Sequence, residues 1–361
     1  MTPKHVTVSF DTLIEDQPGP QWQAHCDALW PSYRAWFVRS NVNMPRPTFL
    51  ASRRALREHM PELEPTWQRL VEMAGGGDDA ARFLSMWCPP PYIGGCAQAV
   101  WIDPQGHEGP ALLRNYDFAP LLLEGSWMAI RWTGQRGLAV GDCLWGALDG
   151  INESGLCAAL SFGGRQVSGV GFGIPLVLRY VLEVATNTAE AVAILQRVPV
   201  SMCYSVTLLD RQGQWATVFL SPDRAVEVTD RRSVTNLQHG VEWPQHARAT
   251  HAVERAAALA DLVAGPVDLT RATAALFEPP LYQTSYHHRH GTLYSAVYRP
   301  QQGQVDLLWP GQRWAQSLAA FEPGQRLVLY PLADAGMPAM PQGANSARFD
   351  GRRAPGAVFS T

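Results

Sequence analysis

The chain of 361 residues is 46% apolar and 17% charged, enough to bury a sizeable core and too apolar for a disordered chain. Its net charge is −3 and its basic residues are scattered, which excludes the electrostatic footprint of a nucleic-acid or anionic-membrane binder. No cofactor motif is present, neither nucleic acid nor a membrane is an expected partner, and a homo-oligomer is left open.

The first residues, MTPKHVTVSFDTLIEDQPG, lack the basic start and apolar run of a secretory signal, and no uncharged apolar stretch approaches the ~20 residues of a membrane helix. A cytoplasmic protein is expected. The six cysteines, Cys26, Cys88, Cys96, Cys143, Cys157 and Cys203, include no C-x-x-C pair, which fits reduced thiols better than disulfides or a zinc ribbon.

Residues 18–87 carry mostly helical period, as in QWQAHCDALWPSYRAWF and LEPTWQRLVEMAGGGDDAARFLSMW, where apolar residues recur at steps of three and four. CPPPYIGG then closes this front segment, because three consecutive prolines cannot continue a helix. From Cys96 the pattern changes to short runs bounded by turn residues: CAQAVWI, ALLRNYDF, SWMAIRW, CLWGAL and GLCAALSF, read as antiparallel strands. Two helices are expected over IPLVLRYVLEVA and TAEAVAILQRV, then strands at YSVTLLD, WATVFL, AVEVT and SVTN. A single helix over QHARATHAVERAAALADLV and two closing strands, TLYSAVYRP and QVDLLWP, complete the pattern. The order predicts an α+β fold with two antiparallel sheets face to face, covered by helices in four αββα layers. The expected division is 1–95 as a helical, propeptide-like segment, 96–333 as the catalytic domain and 334–361 as a mobile tail rich in Ala, Gly, Pro and Arg.

Cys96 stands directly behind Gly94 and Gly95 at the head of an apolar run. A lone cysteine can be a small core hydrophobe. The hairpin partner LLRNYDF, however, brings Arg114 and Asp117 back beside the strand start, and an arginine there favours the thiolate. A surface salt bridge on the hairpin is the alternative.

The ordered set GGCAQ, LLRNYDF, GINESGLCAALSF, VTNLQHG and RHGTLYSAVY resembles the acyl-coenzyme A:6-aminopenicillanic acid acyltransferase family, the isopenicillin N acyltransferase-like cysteine hydrolases. These are relatives of choloylglycine hydrolases among the N-terminal-nucleophile enzymes, and the resemblance spans about residues 90 to 310. It implies a precursor that cuts Gly95–Cys96 and leaves two chains associated. Glycine before the bond would tolerate strained backbone angles and leave its carbonyl open to the Cys96 thiol. The freed α-amine, with an ordinary pKa of ~7.7–8.0, would then serve as the base on the nucleophile's own residue.

The resemblance also implies roles for Asp117 on the α-amine, Arg114 at the thiol, Asn236 as an oxyanion donor and Arg289 near the substrate. Phe118, beside Asp117, is expected to face the substrate as well. Ala97 replaces the usual Thr or Ser, and Ser161 stands where many relatives have an asparagine donor, so the pocket departs from the family there. His288 likewise replaces a small hydroxyl residue. An unprocessed or inactive relative that binds a ligand is the competing class.

Other features carry less. His239, His246 and His251, with HHRH at 287–290, lack a recognised metal spacing, and no metal site is expected. GGRQVSGVGFGIP lacks the G-x-G-x-x-G order of a dinucleotide loop and is expected to be a mobile loop lining the pocket. Trp127, Trp132 and Trp145 are expected in the core between the sheets.

Overall fold

The computed structural model describes residues 5–39, 46–288, 290–332 and 357–358. The front segment holds strand β1 (His5–Glu15) and helices α1 (Pro20–Arg39), α2 (Phe49–His59), α3 (Glu64–Met73) and α4 (Asp78–Leu84). Strands β2 (Gly95–Trp101), β3 (Ala111–Phe118), β4 (Ser126–Ile130), β5 (Gly137–Asp142), β6 (Gly146–Asn152) and β7 (Cys157–Phe162) follow. Then come α5 (Ile174–Val184), α6 (Thr188–Arg197), β8 (Tyr204–Leu209), β9 (Trp215–Leu220), β10 (Glu227–Thr229) and β11 (Ser233–Val234). The chain continues through α7 (Pro244–Ala249), α8 (Ala252–Ala264), α9 (Leu269–Ala275), β12 (Gly291–Arg299), β13 (Gln304–Trp309), β14 (Gln312–Ser317), β15 (Gln325–Pro331) and β16 (Ala357–Val358).

One sheet has the order β10-β9-β8-β7-β6-β5-β4-β1-β15, with β16 also on β1, and the other has β11-β2-β3-β12-β13-β14. Both are antiparallel except where β1 runs parallel to β4, Asp11 opposite Ser126. The sheets face each other, and Gln98 of β2 donates from Nε2 to Thr207 Oγ1 of β8 at 2.8 Å across the gap. Helix α5, apolar along its length, covers β6 and β7 of the larger sheet, whereas α8 covers β2 and β11 of the smaller one. The predicted αββα layering is therefore the observed one.

The front helices extend the layer formed by α5 and α6. Tyr180 of α5 donates to Glu62 at 2.6 Å and accepts from Arg197 of α6 at 2.7 Å, while Trp145 donates its indole N–H to the Leu84 carbonyl at 2.9 Å. Trp22 and Trp67 are buried in the common core, as are Trp127, Trp132 and Trp145.

Several elements differ from expectation for local reasons. HVTVSFDTLIE alternates Val6, Val8 and Phe10 inward and adds a strand inside the larger sheet, so the front segment is not helical throughout. CLWGAL opens as a turn, with Cys143 at φ 56° and Leu144 at φ 71°, and only becomes strand at Gly146. The long helix after Pro244 breaks at His251, whose φ of 49° starts α8. The loop of alternating glycines is closely packed: a Cβ on Gly169, Gly171 or Gly173 would meet Pro222, Val200 or Met86 within 2.5 Å. Residues 334–361 lie outside the described residues except for Ala357–Val358, which pair with Val8 and Thr7. Among the described residues no helix is long and apolar enough to cross a membrane.

Candidate active site

The β2–β3 hairpin sets Gly95 opposite Asp117, Cys96 opposite Tyr116 and Gln98 opposite Arg114. Because side chains alternate along a strand, Cys96, Gln98, Arg114 and Tyr116 share the face turned to the larger sheet. Ala97, Asn115 and Asp117 occupy the opposite face, toward α8 and α9.

Arg114 is fully enclosed, and its Nη2 lies 3.5 Å from Cys96 Sγ. It is held by Asp149 of β6, whose carboxylate is 3.0 Å from Arg114 Nη1, and by the Leu148 carbonyl. Tyr294 donates to the same carboxylate at 2.5 Å and Tyr298 donates to its other oxygen, so one carboxylate from the larger sheet orders three side chains of the smaller one. Burial alone would lower the guanidinium pKa, but the charge of Asp149 and its neighbours leaves it raised.

Burial is the largest influence and pushes Cys96 up to about 11, with Arg114 opposing it and Asp117 adding to it. Arg114 acts in the direction expected from sequence, toward the thiolate, but removal from water outweighs it. Cys96 is 1% exposed. Surface clefts of about 360 and 260 Å³ lie at Trp30 and Asp79 and at His25 and Glu124, and neither includes Cys96.

The Cys96 backbone N–H donates to Asn236 Oδ1 at 3.1 Å, and Asn236 Nδ2 donates to the Phe162 carbonyl at 2.9 Å. Asn236 is placed by the short β11 on β2, Val234 opposite Gln98. Ser161, one residue before Phe162 in β7, is fully buried, and its hydroxyl has no hydrogen-bond partner among the described residues. Asp117 pairs with Arg255 of α8 at 2.6 Å and accepts from Thr292 Oγ1 at 2.7 Å. A Cβ on Gly95 would stand 3.2 Å from Asp117 Cβ and 3.5 Å from His290 Nδ1. Gly95 is not among the positive-φ glycines, so glycine here supplies room rather than the strained angles expected from sequence.

Phe118 is half-buried, stacked obliquely near Tyr116 at 6.1 Å, and a Cβ on Gly94 would be 3.6 Å from its ring. Arg289 lies outside the described residues. The residues brought together are therefore Gly95, Cys96, Arg114, Asp117, Phe118 and Asn236, with Ser161 one residue before the Phe162 carbonyl that holds Asn236. Asp149, Arg255, Thr292, Tyr294 and Tyr298 were missed. Tyr294 and Tyr298 had one available signal, an i, i+4 spacing in a strand, which puts both rings on one face. All six cysteines are free, and among the described residues no three His, Cys, Asp or Glu side chains gather as ligands for a metal ion.

Comparison with curated proteins finds no match. Among solved structures, penicillin V acylase from Agrobacterium tumefaciens aligns with a TM-score of 0.42 and 14% identity over 62% of this chain and 86% of its own. A mutant conjugated bile acid hydrolase from Clostridium perfringens aligns at 0.39 and 13%, over 64% and 96%. The Caenorhabditis elegans ortholog of N-acylethanolamine-hydrolyzing acid amidase aligns at 0.42 and 15%, over 64% and 100%. The family model for acyl-coenzyme A:6-aminopenicillanic acid acyl-transferase matches residues 105–314, more than half of the chain and including Arg114, Asp117, Ser161 and Asn236. The chain therefore belongs to the acyl-coenzyme A:6-aminopenicillanic acid acyl-transferase family.

Proposed function

We propose that this protein is a self-processing N-terminal-nucleophile amidohydrolase or acyltransferase that carries the acyl group of a small amide on Cys96. One observation carries the reading: Cys96 has its thiol on Arg114 and its backbone N–H on Asn236, with Asp117 beside the preceding glycine.

In the first reaction Cys96 Sγ attacks the Gly95 carbonyl carbon. The S–C bond forms, the C–N bond to Cys96 breaks, and the thiol proton ends on the freed nitrogen. Water then hydrolyses the thioester, leaving a Gly95 carboxylate, a free thiol and an α-amine. The buried thiol at about 11 fits an uncut chain that has no base of its own. Cutting supplies the missing base, an α-amine on the nucleophile's own residue.

In the second reaction the α-amine takes the thiol proton and the thiolate attacks the substrate amide. Arg114 stabilises the thiolate and Asp117 holds the ammonium form of the amine. Asn236 and the free Ser161 hydroxyl supply hydrogen bonds to the developing oxyanion, each such donor being worth ~10²–10³ in rate. The leaving amine takes the proton, and water or a second amine discharges the thioester. Phe118 and Arg289 are assigned to substrate binding. Hydrolysis is favoured over transfer because water is always present.

The segment 1–95 is proposed to stay bound after cutting, since β1 lies inside the larger sheet between β4 and β15. The test is to incubate purified protein with a panel of acyl amides, with and without an added amine. Release of free acid that is lost in Cys96→Ala supports the reading. Acyl transfer outrunning hydrolysis at modest amine concentration would reverse the preference for water, and no turnover by a cut chain would leave a ligand-binding relative.

A further inference from the structure

Two histidines lie beside the acyl side of the Gly95–Cys96 peptide and have no part in the chemistry above. The ladder between β2 and β3 stops at the pair Gly95–Asp117, so it does not hold the backbone upstream of Gly95. His246, in α7, is 1% exposed, and neither ring nitrogen has a partner of normal hydrogen-bond geometry. Its ring stacks on Trp243 at 5.1 Å and meets the edge of Phe162 at 5.0 Å, and the polar group it approaches is the Gly94 backbone. His290 lies 6.2 Å from His246, ring to ring, and its Nδ1 is 3.5 Å from where a Cβ on Gly95 would stand. A buried polar ring left one step short of a hydrogen bond is rare enough to need a reason.

Burial lowers the pKa of both rings, that of His246 to about 3, which keeps each in its neutral form with one N–H donor. The ionisable groups facing them are Asp117 and Arg255 at His290, and His290 itself at His246.

We propose that His246 is a positioning residue for self-cleavage, donating to the Gly94 carbonyl as the chain moves toward the tetrahedral intermediate, with His290 beside Gly95. Glycines at 94 and 95 offer no side chain by which the acyl end can be anchored, and the histidine supplies that anchor from outside the strand. The donor gives up no proton: the Sγ–C bond forms at Gly95, the C–N bond breaks, and the thiol proton passes to the Cys96 nitrogen as before. This assignment rests on the self-processing reading of the same site.

The test follows cutting of the full-length chain by intact mass during cell-free synthesis, beside three variants. His246→Phe keeps the ring and its stacking but has no donor, and cutting is expected to slow about tenfold or more, the effect of roughly one lost hydrogen bond in a transition state. His246→Asn and His246→Gln place an amide near the position of Nδ1 or Nε2, and recovery of most of the rate by one of them is expected. Thermal melting of each variant in the Cys96→Ala background reports folding separately. If His246→Phe does not fold there, His246→Ala is used with added imidazole, and recovery of cutting by imidazole is the expected result. Cutting of His246→Phe at the wild-type rate, or a slow variant that neither amide nor imidazole rescues, overturns the assignment. A wild-type chain that stays whole refutes the self-processing reading and this assignment with it, whereas a cut wild type with an indifferent His246 refutes the assignment alone.

Discussion

The carboxylate of Asp149 is the link between the sheets on which the position of Arg114 depends, and Asp149→Asn tests it. Both side chains are at 0% exposure and 3.0 Å apart, so the substitution leaves a guanidinium in the core with no opposing charge. Removing one partner of such a buried pair costs about 3–5 kcal/mol, because the remaining charge is neither solvated nor matched. Asparagine keeps one carbonyl oxygen, so it can still accept from either Tyr294 or Tyr298 but not from both as a carboxylate does. The Leu148 carbonyl still accepts from Arg114, which keeps the expected loss within that range rather than above it. The assay is denaturant unfolding in the Cys96→Ala background, where both proteins are single chains, with stability read from the midpoint at constant slope. A loss below about 1 kcal/mol, at the level of an exposed pair, would refute the reasoning and mean that Arg114 is held chiefly by Leu148 and by its packing on the Tyr116 ring at 5.1 Å.

Three further outcomes are expected. Asn236→Ala is expected to lower turnover of any amide substrate by ~10²–10³ with less change in KM, since its donor acts mainly in the transition state. With the thiol pushed up to about 11, Cys96 in an uncut chain is expected to alkylate more slowly at pH 8 than in the cut enzyme. Peptide mapping after iodoacetamide treatment measures this, and equal rates would show that cutting does not activate the thiol. Asp142 has its carboxyl pushed up to about 7 by burial and by the neighbouring Glu124. Its folded pKa exceeds the unfolded value of ~3.9, so its contribution to stability is present at low pH and declines as pH rises toward about 7. Melting temperatures of Asp142→Asn between pH 4.5 and 7.5 are expected to lack that part of the decline.

The hairpin that presents Cys96 was legible because CAQAVWI and ALLRNYDF are strongly apolar runs joined by a turn-rich stretch, and their pairing alone sets Arg114 and Asp117 beside the cysteine. The layering followed from the order of strands and helices. β1 was not legible as a strand of the larger sheet because its alternating Val6, Val8 and Phe10 precede a long helical segment and gain their partners only from β4 and β15, far along the chain. What could not be read were contacts made across the sheets. Asp149 sits in a glycine-flanked run that looks like a turn, and nothing local shows that it meets Arg114, 35 residues earlier in the chain and on the other sheet. Arg255 likewise reads as one charge on an alanine-rich helix until α8 packs its side chain onto Asp117. The net thiol pKa was not legible for the same reason: sequence proximity reveals the arginine, whereas burial is a property of the assembled layers.

Intact mass of the purified wild type beside Cys96→Ala is the most direct test of the central claim. The account predicts two wild-type chains, 1–95 and 96–361, that co-purify, and one whole chain in the mutant. A wild-type protein that stays whole under conditions where it is folded would contradict it, and Cys96 would then be a buried thiol beside an arginine rather than a nucleophile.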